Sequence, residues 1–192
     1  RVSLLQSSEP MLEALVWASV NELPGYEFDA SQPPVESQPS DWESIDGRTN
    51  QPLPKFMQHI ETRWDHQDPG TLGAHSEPYT YAWQRFKPRD RYDEPFADAC
   101  RLVFLADARA FGPVAYHAAV APAQVPFFAP NIDLTVQFCR PSGHSGWLFG
   151  AARAVAAAQG TIATRIEFWS EQREPLAVAS STLMCRPNPF AR

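Results

Sequence analysis

Hydrophobic and polar residues alternate most strictly over NIDLTVQFCRP, residues 131–141. Ile132, Leu134, Val136 and Phe138 fall on one side, and Asp133, Thr135, Gln137 and Cys139 on the other. A period of two marks a strand with one face on a core. Yet Asn131 opens the stretch, Asp133 follows two residues in, and Arg140-Pro141 shuts it off. The mouth of this strand is polar where a core strand has no need of it. Three more strand-like runs follow, over 147–156, 160–169 and 175–186, with SEQREP turning between the last two. Earlier in the chain, FMQHIETRWD (56–65) and PYTYAWQRFKP (78–88) are aromatic-rich and also read as strands, joined by the loop DPGTLGAHSEP. At the start, VSLLQ and MLEALVWAS flank a polar SSEP turn and read as a hairpin. A lone hairpin is marginal in water and needs a sheet to join.

Between these strands, residues 92–113 carry a helical pattern. Asp93 and Glu94 precede Pro95, an acidic start with proline in the first turn. Ala, Leu, Phe and Arg dominate up to Ala110, and Gly112-Pro113 ends the run. The helix is apolar over much of its circumference, so wide burial is expected. Phe96, Cys100, Val103, Phe104 and Asp107 share one face, taken as the apolar stripe, while Asp98 falls elsewhere beside Arg101. One helix followed by antiparallel strands predicts an α+β fold with the helix packed on one sheet. Residues 20–54 hold Pro24, Pro33, Pro34, Pro39, Pro52 and Pro54 among Ser, Gln, Asp and Glu, the composition of a linker or long surface crossing. The expected organisation is therefore 1–20, terminal strands; 21–54, a Pro-rich linker; and 55–192, one complete domain.

Composition narrows the function classes. With 192 residues, 44% of them apolar, the chain can build one good core. Sixteen basic against 22 acidic residues leave a net charge of −6, which argues against wholesale binding to a nucleic-acid backbone. Arg85, Lys87, Arg89 and Arg91 are a local exception, readable as a solvated face or as a perch for an anionic ligand tail. Cys100, Cys139 and Cys185 have no paired spacing and read as buried free thiols in a reducing, cytoplasmic setting. No apolar run approaches the length of a membrane span. The five histidines form neither an i, i+4 pair nor HExxH, and no phosphate- or dinucleotide-binding glycine motif is present. No metal or cofactor is expected. GHSG (143–146) lacks the last glycine of a nucleophile elbow and lies in a polar loop, where a tight turn is the better reading.

Asp107 is the carboxylate to weigh. On an apolar stripe near a helix C-terminus, burial and the negative end of the helix dipole both disfavour its charge, as suits a general base. The competing reading is a frayed helix end, with Asp107 paired to Arg109 or Arg153 at the surface.

The order of segments ADARAFGPVA, NIDLTVQFCRP, GWLF, a Gly-led strand and PLAVASSTLMCRP resembles the acyl-CoA thioesterase II family, over roughly residues 56–187. The most specific match is FCRP beside the family's F-H-R-P, followed by Trp147-Leu148. The resemblance implies two hotdog folds in one chain, each a long helix wrapped by a curved antiparallel sheet. Residues 55–192 would be the complete C-terminal hotdog, and residues 1–20 the closing strands of an N-terminal one. Arg1 rather than Met opens the chain, so upstream sequence, or an oligomer that pairs this domain with another hotdog, is expected.

The resemblance also implies the chemistry: hydrolysis of acyl-CoA or another acyl thioester by aspartate-activated water. The family's helical aspartate falls on Asp107, its strand-opening threonine on Asn131 and its final-strand glutamine on Ser181. The acid is kept and both partners differ, so the alternative is a hotdog that binds acyl groups or serves structure without catalysis. A hydratase of the same fold resembles an aspartate with a histidine five residues later, and here that position is Gly112.

Overall fold

The structure, a computed structural model, describes residues 1–18, 25–26, 28–45, 55–65, 77–117, 127–143 and 145–187, with Tyr116 described by its backbone alone. It divides into two units, Arg1–Ala30 and Ser31–Arg192. The first contains an antiparallel hairpin of β1 (Val2–Gln6) and β2 (Glu9–Ala14). Ser7 and Ser8 turn it with φ of 50° and 72°, the left-handed pair that matches the twist of a two-residue hairpin loop. Val2, Leu4, Leu5, Met11, Leu12, Leu15, Val16 and Trp17 are all exposed. The second strand ends at Ala14, short of its expected end at residue 19, which lies outside the described residues.

The second unit is built on a six-stranded antiparallel sheet in the order β3-β4-β7-β8-β9-β6. Its strands are β3 (Ile60–Trp64), β4 (Tyr79–Phe86), β6 (Thr135–Phe138), β7 (Leu148–Ala158), β8 (Thr161–Trp169) and β9 (Pro175–Met184). A small pair, β5 (Phe127–Phe128) with β10 (Arg186–Pro187), forms a second, two-stranded sheet. Residues 56–59, expected as the start of a strand, belong instead to a 3-10 turn, Lys55–His59, before β3. Two hydrophobic clusters follow from the alternation of side chains along the strands. Leu148, Ile166, Phe168 and Leu176 pack with the helix residues Leu102, Leu105 and Ala106. Phe149, Trp169 and Trp83 belong to a separate cluster with Trp42. Leu148 and Phe149, or Phe168 and Trp169, are neighbours in sequence but sit in different clusters.

Trp42 comes from the Pro-rich stretch expected to be a free crossing. Residues 31–45 instead lie against the sheet. Trp83 Nε1 donates to Ser37 Oγ at 3.1 Å, Arg63 to the Pro39 carbonyl at 3.0 Å, and the Ile45 N–H to the Thr62 carbonyl at 3.0 Å. Elsewhere in that stretch, residues 21–24, 27 and 46–54 lie outside the described residues.

Helix α1 (Pro95–Arg109) has the expected bounds. Glu94 caps it, its carboxylate accepting the N–H groups of Phe96 and Ala97 at 3.0 and 2.6 Å. A second short helix, α2 (Gly112–His117), begins where only a stop was expected. The buried side of α1 corrects the sequence reading. It consists of Asp98, Arg101, Leu102, Leu105, Ala106 and Arg109. Phe96, Cys100, Val103, Phe104 and Asp107 are the exposed side. Phe104 is 38% exposed and meets Phe56 and Phe86 edge-on, at ring separations of 5.6 and 5.7 Å. The cysteine reading is corrected too: Cys100 and Cys139 are exposed and Cys185 is half-buried.

The strand expected over 131–139 is paired only from Thr135 to Phe138, with one isolated bridge, Asn131 to Leu183, ahead of it. It lies at the edge of the sheet, so Ile132 and Phe138 stay about half exposed, at 53% and 50%.

Candidate active site

Three elements converge where α1 ends. Asp107 stands in the last turn of α1, Asn131 at the mouth of β6, and Ser181 on β9, where it is 3% exposed. The Asn131 amide Nδ2 donates to Asp107 twice, to Oδ1 of the carboxylate at 2.5 Å and to the main-chain carbonyl at 3.0 Å. The Ser181 hydroxyl donates to Asn131 Oδ1 at 2.9 Å, and its Oγ is 2.7 Å from the Asp133 carbonyl. The polarity of this chain is set by its ends. An ionised carboxylate only accepts, so the asparagine must turn its NH2 to Asp107 and its oxygen to Ser181. Serine must then donate, and its one proton is shared between Asn131 Oδ1 and the Asp133 carbonyl, both of which can only accept. The structure thus brings together all three residues singled out in the sequence, although it leaves Asp107 on the exposed side of its helix. The burial on which the sequence argument for that carboxylate rested is not there.

Beneath Asp107, the helix end is anchored by Arg109, which the sequence reading considered only as a surface partner for Asp107. Its guanidinium is buried. Nη2 donates to the carbonyls of Gly150 (2.9 Å) and Thr80 (3.0 Å), and Nη1 to Gln84 Oε1 (3.2 Å). A cation at a helix C-terminus also meets the negative end of the helix dipole. No local pattern announces this arrangement, because the acceptors come from β4 and β7, far away in sequence.

At the other end of α1, Asp98 and Arg101 form a buried pair at 2.9 Å. Burial pushes the Asp98 carboxyl up, but hydrogen bonds from Arg101, Ser142 and the Tyr92 N–H outweigh it and hold the group below its ordinary value. Arg101 also donates to the carbonyls of Asp90 and Ser145, so this pair ties the 139–147 loop to the helix. Ser145, the serine of GHSG, belongs to that loop. Its Oγ donates to the Trp147 carbonyl and accepts the Glu171 N–H at 3.0 Å, and its own N–H bonds to Ser142. It serves a turn, while His144 lies outside the described residues.

In the basic run, Arg85 pairs with Glu61 at 2.7 Å. Arg85 and Arg63 both lie over the Trp147 ring, at 4.6 and 5.1 Å from its centre. Arg89 lies over Tyr92 at 5.6 Å. Among the described residues, no group of three or more His, Cys, Asp and Glu side chains is placed to hold a metal ion, and no helix is long and apolar enough to cross a membrane.

Residues 30–185 match the family model of the acyl-CoA thioesterase C-terminal domain. Among solved structures, the chain is similar to a protein of unknown function with a hot dog fold from Alicyclobacillus acidocaldarius. The identity is 19% and the TM-score 0.65, over 87% of this chain and 59% of that one. It is similar to acyl-CoA thioesterase II TesB2 from Mycobacterium marinum at 16% identity and TM-score 0.65, over 87% and 60%. No curated protein matches the chain significantly. The chain spans about three-fifths of the length of these two structures. At such identities the likeness shows the fold, a hotdog: one long helix on a large antiparallel sheet.

Proposed function

Because the chain belongs to the acyl-CoA thioesterase C-terminal domain family, we propose that it hydrolyses an acyl thioester, of CoA or of another thiol carrier, with Asp107 as general base. Water held against the Asp107 carboxylate attacks the thioester carbonyl carbon while its proton passes to Asp107. The tetrahedral intermediate then collapses, the carbon–sulfur bond breaks, and the thiolate leaves with the proton that Asp107 carries. A carboxylic acid and a free thiol are the products. Asn131 fixes the carboxylate in one rotamer, and Ser181 acts through Asn131 by holding its amide oxygen.

The observation that carries this reading is the hydrogen-bonded chain Ser181–Asn131–Asp107, drawn from three separate elements. Positioned general-base catalysis contributes about 10² to 10⁴ in rate. The exposure of Asp107 requires that bound substrate, or a second hotdog, shield the site during reaction. Such a partner, from another copy or from elsewhere in a longer chain, is part of the proposal. So are the assignment of β1–β2 to the closing strands of a first hotdog, of residues 55–192 to the second, and a cytoplasmic location.

A second reading has its own support. Both N–H groups of Asn131 are already spent on Asp107, and an exposed, pre-bonded carboxylate suits an acyl-binding hotdog without turnover. A panel of acyl-CoAs followed by release of free thiol separates the two. Hydrolysis of at least one, with kcat falling about 100-fold or more in Asp107→Asn at similar KM, is the expected result. Full activity in that variant overturns the assignment, and binding without thiol release by the native chain favours the second reading.

A further inference from the structure

Asp133 occupies an irregularity that gives Asn131 its orientation. Asn131 bridges Leu183, whereas the regular ladder of β6 with β9 begins at Thr135 opposite Ser180. Four steps along one strand therefore face three along the other, and the 131–135 segment carries one residue too many. That is a β-bulge, a device that leaves one residue out of the ladder and re-aims its neighbours. On β9, Thr182 turns both its carbonyl and its N–H toward this segment. The carbonyl accepts the Ile132 N–H at 2.8 Å, as a ladder would have it. The N–H goes to the side-chain Oδ1 of Asp133 at 2.8 Å, where a regular antiparallel pair would supply a backbone carbonyl. Asp133's own carbonyl, freed from the ladder, lies 2.7 Å from the Ser181 hydroxyl.

We infer that Asp133 is a positioning residue for the site: its carboxylate replaces the missing ladder acceptor and locks the bulge that turns Asn131 toward Asp107 and Ser181. The alternative available to the backbone is a slip by one residue that regularises the ladder. In a strand, such a slip moves every side chain to the opposite face, and Asn131 would leave Asp107. Asp133 raises the cost of that slip, because regular pairing would displace its carboxylate from the Thr182 N–H. This accounts for a charged residue at the mouth of an otherwise alternating strand. It rests on the reading above only for its link to catalysis; the orientation of Asn131 can be read without any turnover.

The test compares Asp133→Ala, which removes the acceptor, with Asp133→Asn, which keeps an oxygen able to accept from Thr182. The side-chain amide signals of Asn131 are followed by NMR, assigned by their loss in Asn131→Ala. In the native protein and in Asp133→Asn they are expected away from free-asparagine positions and slow to exchange. In Asp133→Ala they should move to those positions and exchange at least tenfold faster, and the Thr182 amide should lose its downfield shift. Free-asparagine signals in the native chain, unchanged signals in Asp133→Ala, or an Asp133→Asn protein as loose as Asp133→Ala would each overturn the inference. The acyl-CoA assay then adds the catalytic part. Asp133→Ala is expected to lower kcat about tenfold with KM within twofold, and to have no further effect once Asn131 is alanine; independent, multiplying losses would reduce Asp133 to a structural role. Absence of all thioesterase activity would sink the hydrolytic proposal while leaving the NMR result to decide this one.

Discussion

Replacing Gly150 with alanine places a methyl group where Arg109 runs beneath the helix end. The added Cβ would stand 2.9 Å from Arg109 Nε, 3.1 Å from Phe168 Cε1 and 3.2 Å from Arg109 Cδ. A long side chain can often swing away from such a contact, but the head of this one is held by Gln84 and by the carbonyls of Thr80 and Gly150. Forcing an extra methyl into a packed site costs about 1–3 kcal/mol. If the guanidinium gives way instead, each charge-assisted bond lost costs about 1.5–3 kcal/mol. Against this stands a gain of about 0.4–1 kcal/mol from the stiffer unfolded chain. The expected net loss is about 1–2 kcal/mol. For a unit of this size, at roughly 2–4 °C per kcal/mol, the thermal midpoint should fall by roughly 2–8 °C. Scanning calorimetry on the native chain, Gly150→Ala, Arg109→Met and the double variant measures it. In the Arg109→Met background the alanine should cost less than half as much, since the methionine, with no guanidinium hydrogen bonds to hold its end, can swing away and leave only Phe168 crowding the methyl. An unchanged or raised midpoint in Gly150→Ala, or the same loss in both backgrounds, would refute the claim that glycine is there to let Arg109 through. In a catalytically active protein, Gly150→Ala should also lower kcat, because Arg109 anchors the turn that carries Asp107.

Two further outcomes are expected. Asp98 has a folded pKa below its ordinary value, so its contribution to stability is in place above about pH 4, the unfolded value, and is lost as pH falls through the folded one. Asp98→Ala leaves Arg101 buried without that partner and should cost about 3–5 kcal/mol at pH 7, while urea unfolding at pH 3 should show a smaller gap from the native chain; a gap that does not shrink on acidification contradicts the linkage. Ser181→Ala removes the donor to Asn131 Oδ1 and should lower kcat about five- to tenfold, with about 1 kcal/mol lost from stability. A rate equal to the native one would show that Asn131 needs no such support.

The strands 147–156, 160–169 and 175–186 were legible to within two residues at each end, because they lie inside the sheet, where apolar-rich runs bounded by turn residues mark a strand. The helix was legible at its start, where Glu94 and Pro95 act locally, and its end was placed within a residue, although Gly112, read as its stop, opens α2. The orientation of α1 was not legible. Apolarity argued for burying Phe96, Cys100, Val103 and Phe104, yet the buried side carries Asp98, Arg101 and Arg109. Those charges are tolerated inside because each finds partners, and the partners Ser142, Ser145, Thr80, Gln84 and Gly150 stand many residues away. The same applies to residues 31–45. Their prolines and polar residues read as a crossing, and only the sheet's aromatic cluster explains why Trp42 is buried.

The sequence by itself determined the α+β class of fold and the order of its main elements, since alternation and capping are local properties of the chain, while the three positions where its chemistry was sought were those that the family resemblance implied. Tertiary structure decided which side of α1 is buried, that Asp107 stays exposed, and how Asn131 is turned by an extra residue in its strand. Those depend on hydrogen-bond acceptors supplied by distant segments, and a carbonyl's availability is settled only once the sheet has paired.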